Sequence, residues 1–261
     1  MQIKSIFIRI SIYLNVILFY TLVLLSYKFG LVDDLSAISN PIRKSFKQVT
    51  NTTPQPLTDT LFSAPEWQSQ VKQQVIAAQE HSYDSCLFGD SISAGLGTSL
   101  GPSTFNFALN GMSTVSLVEQ LKILTAAKLK CPKVIIAIGT NDAWYTMSNQ
   151  AFLTKMEETI TLARQLEVKQ IILIPAFYAT VAASHEPSMA GSNERVDEIN
   201  ALMRKVAAKE QVAIALESIE PLFQNHALNE KLTVDGVHLN EDGLAIYRLA
   251  LLSLLYPGCK P

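Results

Sequence analysis

Charge is scarce in this chain. Asp, Glu, Lys and Arg make up 17% of its 261 residues, and the net charge is -2, whereas soluble domains carry about a quarter. Neither a basic stripe nor an acidic tail is present, so the electrostatic footprint of a nucleic-acid binder is missing. Cysteine is rare too: Cys86, Cys131 and Cys259 form no Cys-x-x-Cys pair. His81, His185 and His226 lack ligand partners at metal-binding spacing. The glycines between Ala94 and Gly101 are close together but make no Gly-x-Gly-x-x-Gly, which argues against a dinucleotide loop. No cofactor or metal is expected, and no segment repeats.

Long apolar runs are also missing, with one exception. From Ile10 to Tyr27 the chain reads ISIYLNVILFYTLVLLSY, without a charge. As a helix this run spans about 27 Å, close to the hydrocarbon thickness of a bilayer. Lys4 and Arg9 precede it, and the bulky LLSYKFG that follows offers no small-x-small cleavage pattern. The expectation is a retained transmembrane anchor over residues 1–29 rather than a cleaved signal. The basic residues flanking the run are nearly balanced, Lys4 and Arg9 against Lys28, Arg43 and Lys44. By analogy with first-helix anchors that lead an exported domain, the remainder is placed outside the cytoplasm. Residues 30–64 are rich in Ser, Thr, Asn, Pro and Gln and read as a flexible linker.

From residue 65 onward, helical and strand patterns alternate. PEWQSQVKQQVIAAQEHS has helical spacing, and YDSCLFG reads as a buried strand. TFNFAL is a second strand, and Ser113 caps the helix STVSLVEQLKILTAAKLK. The apolar KVIIAIG is a strand buried on both faces. A helix over 149–166, strand QIILIPA, helix ERVDEINALMRKVAAKE, strand VAIAL and helix EDGLAIYRLALLSLL complete the chain. Five such alternations predict one doubly wound α/β domain over 65–261 with a mostly parallel sheet.

In such sheets ligands bind beyond the carboxyl ends of the strands. Four short polar clusters fall at that edge: Gly89-Asp90-Ser91, Asn110-Gly111, Gly139-Thr140-Asn141-Asp142 and Asp235-Gly236-Val237-His238. A flavodoxin-like order, with the first strand between the second and third, makes the first three clusters neighbours. Taken singly, each residue reads equally well as a turn or a helix cap. Together they fill the roles of acyl transfer. A serine needs a base, the base needs a carboxylate to hold its tautomer, and the tetrahedral intermediate needs donors for its oxyanion. Ser91, His238, Asp235, Gly111 and Asn141 are the candidates.

The pattern resembles the SGNH (GDSL-type) hydrolase family. FGDSISAG is similar to its first block, with Ile92 where Leu usually stands; NFALNGMST, IAIGTNDAW and DGVHLNEDG are similar to the other three. The resemblance covers about residues 82–256. It implies a three-layer α/β/α fold and a metal-independent esterase or thioesterase. Ser91 would be the nucleophile, His238 the base and then the acid, and Asp235 its orienter. The N–H groups of Ser91 and Gly111, with the Asn141 side chain, would form the oxyanion hole. Ser93 occupies the last position of a would-be Gly-x-Ser-x-Gly, which disfavours the α/β-hydrolase fold. The expected partner is a small-molecule, glycan or lipid ester, probed best with short acyl chains. An O-acyltransferase acting on a surface glycan shares the first half-reaction. A non-catalytic glycan- or lipid-binding module would have no need for a complete triad.

Three smaller expectations remain. Trp144 reads as a pocket wall or as packing. The loop 176–192 is long for a strand-to-helix connection and, with Phe177 and Tyr178, is a candidate lid or a mere insertion. Cys86 reads as a small buried residue. Cys131 and Cys259 should sit at the edge away from the site, where a Cys131–Cys259 disulfide would fit an oxidising compartment.

Overall fold

The computed structural model describes residues 58–256. Five parallel strands form the sheet: β1 (Ser85–Gly89), β2 (Thr104–Asn106), β3 (Lys133–Ala137), β4 (Gln170–Ile174) and β5 (Ala213–Ile214). Their order is β2-β1-β3-β4-β5, the flavodoxin-like arrangement. All four pairings are parallel, with Leu87 opposite Asn106 on one side and Ile135 on the other.

Successive side chains of a strand point to opposite faces, and here both faces are covered. Cys86, Phe88, Val134, Ile136, Ile171 and Leu173 point into one core. It is closed by α1 (Pro65–Glu80), α3 (Thr114–Ala126), α5 (Asn149–Arg164) and α7 (Asn193–Glu210). Leu87, Ile135, Ile172 and Ile174 point the other way, against α8 (Glu241–Leu255) and the 3₁₀ turn Glu217–Leu222. The result is the expected three-layer α/β/α sandwich. Short helices follow the strand ends: α2 (Ser91–Ala94) after β1, α4 (Thr140–Trp144) after β3 and α6 (Val181–Ser184) beyond β4. A small antiparallel hairpin, β6 (Phe223–Gln224) and β7 (Ala227–Leu228), lies outside the main sheet.

Two expectations need correction. Cys131 is bonded to Cys86, with Cα atoms 6.1 Å apart, and so is not available to Cys259, which lies outside the described residues. The cause is topological. Parallel pairing of β1 with β3 sets Cys86 opposite Val134, and Cys131 enters the same core just ahead of that register. The domain also begins before residue 65. Asp59 is buried at 3% exposure, and a 3₁₀ turn over Leu61–Ser63 follows it. Among the described residues no helix is long and apolar enough to cross a membrane; the expected anchor at Ile10–Tyr27 lies outside them.

Candidate active site

The nucleophile candidate is placed by the end of β1. Asp90 adopts an extended conformation and its side chain accepts from the Ile92 N–H at 3.0 Å, capping α2. Ser91 is therefore the first helical residue and not the cap, which leaves its hydroxyl free to face outward. Gly89 lets the turn sit tight, because a Cβ there would lie 2.6 Å from the Ser93 Oγ and 2.9 Å from the Ala137 carbonyl. A hydrogen bond between the buried Ser93 hydroxyl and the Tyr247 hydroxyl, 2.9 Å, ties α2 to α8.

The Ser91 Oγ stands 2.9 Å from the His238 Nε2, and the His238 Nδ1 stands 2.7 Å from the Asp235 Oδ2. The other carboxylate oxygen of Asp235 accepts from the backbone N–H groups of Val237 (2.9 Å) and His238 (2.8 Å). Partial burial pushes the Asp235 carboxyl up, but the hydrogen bonds from His238 and Val237 outweigh it and hold the group below its ordinary value. Gly236, at φ +92, makes the turn between them, and a side chain there would strike Thr180 and Ala183. Thr180 in turn donates its N–H to the Gly236 carbonyl at 2.8 Å, so the loop after β4 braces the Asp235–His238 turn.

Gly111, at φ +75, and Asn141 line one open cavity with Ser91 and His238, about 810 Å³ in volume. The Asn141 amide donates to the Met112 carbonyl at 2.9 Å, which leaves its second N–H for a ligand. Trp144, Met189, Val237 and Leu244 supply the apolar wall. Trp144 also donates its ring N–H to the Pro187 carbonyl at 3.0 Å, so it is at once a wall and a clasp for the loop.

Other candidates fall elsewhere. Phe177 is buried between Phe223 and Tyr247, with ring centroids 5.5 and 5.0 Å away, and belongs to the core. The Tyr178 hydroxyl donates to Asp197 at 2.5 Å, and its ring lines a separate cavity with Arg204 and Phe223. Only the far part of the 176–192 loop, Ser188 and Met189, reaches the cavity. The start of that loop turns back into the fold because the Phe177 N–H is held by Thr140.

As one of the polar residues after β3, Asp142 reads in the sequence as a turn or as a cap for the helix that follows. Its buried carboxylate instead accepts from the Thr114 N–H at 3.1 Å and the Thr114 hydroxyl at 2.5 Å, at the start of α3. Burial pushes its carboxyl up to about 7, against those hydrogen bonds, with the Asp59 charge adding to the rise. Burial likewise pushes Asp90 up to about 6, against the Ile92 N–H and the nearby His238. An unfolded Asp titrates near about 3.9. Between pH values of about 4 and 7 the folded chain thus holds protons that the unfolded chain has released, and stability falls as pH rises through that window. Calorimetry should show Tm lower at pH 8 than at pH 5 by several degrees, and Asp142→Asn should remove at least half of that drop. An unchanged pH slope in the variant would locate the titration elsewhere.

A sequence model of the GDSL-like lipase/acylhydrolase family matches residues 87–246. No curated protein matches the chain. Among solved structures, it is similar to a Streptococcus pneumonia protein whose description connects it with platelet activating factor. That match has 22% identity and a TM-score of 0.63, over 72% of this chain and 92% of that one. It is also similar to a GDSL-like lipase from Bacteroides thetaiotaomicron, at 16% identity and TM-score 0.58, over 72% and 97%. An acetyl xylan esterase from Geobacillus stearothermophilus matches at 19% identity and TM-score 0.51, over 67% and 96%. At these identities the structural likenesses speak to the fold.

Proposed function

The chain belongs to the GDSL-like lipase/acylhydrolase family and is an ester-hydrolysing enzyme, and on that premise we propose that it is a membrane-anchored serine esterase working through an acyl-enzyme. The observation that carries this reading is the hydrogen-bonded chain from Ser91 through His238 to Asp235, opening into the cavity that Gly111 and Asn141 share. His238 Nε2 takes the Ser91 proton as Oγ attacks the ester carbonyl. The oxyanion accepts hydrogen bonds from the Ser91 and Gly111 N–H groups and the Asn141 amide. His238 then gives the proton to the leaving alkoxide, and the acyl group stays on Ser91. Water attacks in the second half, with the same proton path, and releases the acid. The apolar wall of Trp144, Met189 and Leu244 suits a short acyl chain, and the alcohol half points toward the open mouth.

Two features support a site of action outside the cytoplasm: the uncharged run Ile10–Tyr27 and the Cys86–Cys131 disulfide, a bond that persists in oxidising compartments.

A fluorophosphonate is the direct test. Incubated with the full chain in detergent, it should phosphonylate the peptide that carries Ser91, and ester cleavage should disappear in step with the adduct. An adduct on another residue, or full activity after complete labelling of Ser91, would overturn the assignment. Adding a glycan acceptor to the unlabelled enzyme and analysing products separates hydrolysis from acyl transfer.

A further inference from the structure

Composition places residues 58–64 in a linker, yet Asp59 is buried between exposed Thr58 and Thr60. Its carboxylate accepts five hydrogen bonds. Oδ1 takes the Leu61 N–H at 2.8 Å. Oδ2 takes the Ser113 N–H (3.3 Å), the Ser113 hydroxyl (2.5 Å), the Ser116 N–H (3.2 Å) and the Ser116 hydroxyl (2.7 Å). All the Oδ2 donors belong to the start of α3, 54 or more residues further along the chain.

Helix α3 does not need this carboxylate as a cap. Ser113 already caps it, accepting from the Val115 N–H, and Ser116 returns a bond to the Ser113 N–H. Asp142 holds Thr114 as well. A second carboxylate at one helix terminus is thus surplus to capping, and its effect is to fix where Ser113 sits. Ser113 lies two residues beyond Gly111. The intervening segment is held on its other sides by Asn141, on the Met112 carbonyl, and by the Tyr145 hydroxyl, which donates to the Gly111 carbonyl at 3.3 Å. The Leu61 side chain covers Gly111, 3.8 Å from where a Cβ would stand. Gly111 has no side chain to hold its positive φ, so its amide direction is set by these neighbours.

We propose that Asp59 is a positioning residue for the oxyanion hole: the strap of residues 58–63 locks the Gly111–Ser113 segment so that the Gly111 N–H is aimed before substrate arrives. The inference rests on the serine mechanism proposed above. It makes the end of the apparent linker part of the catalytic unit, so that a cut or substitution there acts on turnover and not merely on attachment.

The test uses the full chain with Asp59→Asn, Asp59→Ala, Leu61→Ala and Ser91→Ala, assayed well below each Tm. Removing an oxyanion donor outright costs about 10²–10³ in kcat. Misdirecting one should cost about 10–100-fold in kcat, with KM changed less than about threefold. Affinity for a boronic acid, whose tetrahedral adduct needs the same donor, should fall by the same factor as kcat. Asp59→Asn keeps the shape of the side chain. Leu61→Ala leaves all five hydrogen bonds in place and gives a second reading should the Asp59 variants not fold. Wild-type kcat and boronate affinity beside a lowered Tm would mean that Asp59 only stabilises the fold, and would overturn the inference. If Ser91→Ala hydrolyses like wild type, the serine mechanism itself fails. If that variant is dead while the Asp59 variants keep full turnover, the positioning role alone fails.

Discussion

Ser91→Ala should lower turnover of a short-chain ester at least about 10³-fold while leaving the fold intact. The effect follows from what the hydroxyl does and what it does not do. It stands 2.9 Å from the His238 Nε2, the base that takes its proton as the oxygen forms the acyl bond. It does not cap α2, which Asp90 caps, and it anchors no core. The Tm should therefore move by no more than an ordinary surface substitution, worth within about 0.5 kcal/mol. Residual cleavage should reflect water attacking a substrate held against the oxyanion donors. Titration with p-nitrophenyl acetate reads the acyl-enzyme itself: wild type gives a burst equal to the enzyme present, and the variant gives none. A burst from the variant, or a loss below tenfold, would remove Ser91 as the nucleophile.

The parts of this site that rest on local patterns were legible in the sequence. Each of Gly89-Asp90-Ser91, Gly111, Asn141 and Asp235-Gly236-Val237-His238 follows a strand or closes a turn, and the apolar runs place those strand ends on one edge. Parallel pairing in the order β2-β1-β3-β4-β5 then brings the first three together. Contacts between distant segments were not legible. Cys86 sits in an apolar run and reads as inert, and only the β1–β3 register shows that Cys131 enters beside it. Asp59 is one carboxylate in a segment whose composition says linker, and no local signal marks its burial. Asp142 reads as a turn residue or a cap for the helix that follows, although its partner is Thr114 at the start of α3. Phe177 and Tyr178 follow a strand end, as a lid would. The Phe177 N–H bond to Thr140 turns one ring into the core, and Asp197 draws the other away from the cavity. In every case a long-range partner decided the matter.

Asp235→Asn should be nearly as damaging as loss of the serine, by about 10³-fold or more in kcat with KM little changed, and the reason lies in the turn. The Asp235 Oδ1 accepts from two backbone N–H groups, Val237 and His238, while Oδ2 faces the imidazole Nδ1. An asparagine keeps its carbonyl oxygen on the two backbone donors, since its amide cannot accept from them. Its NH₂ is then forced toward Nδ1 and donates to it. That fixes the proton on Nε2, the nitrogen that must accept from Ser91, and the base is occupied before the reaction begins. The damage comes from the wrong tautomer, so the fold and substrate binding should survive. Nitrogen NMR on labelled histidine reads the cause directly: the His238 proton should reside on Nδ1 in wild type and on Nε2 in the variant. A tautomer unchanged by the substitution, or a loss of kcat under tenfold, would mean that Asp235 only shapes the turn and that His238 finds its orientation elsewhere.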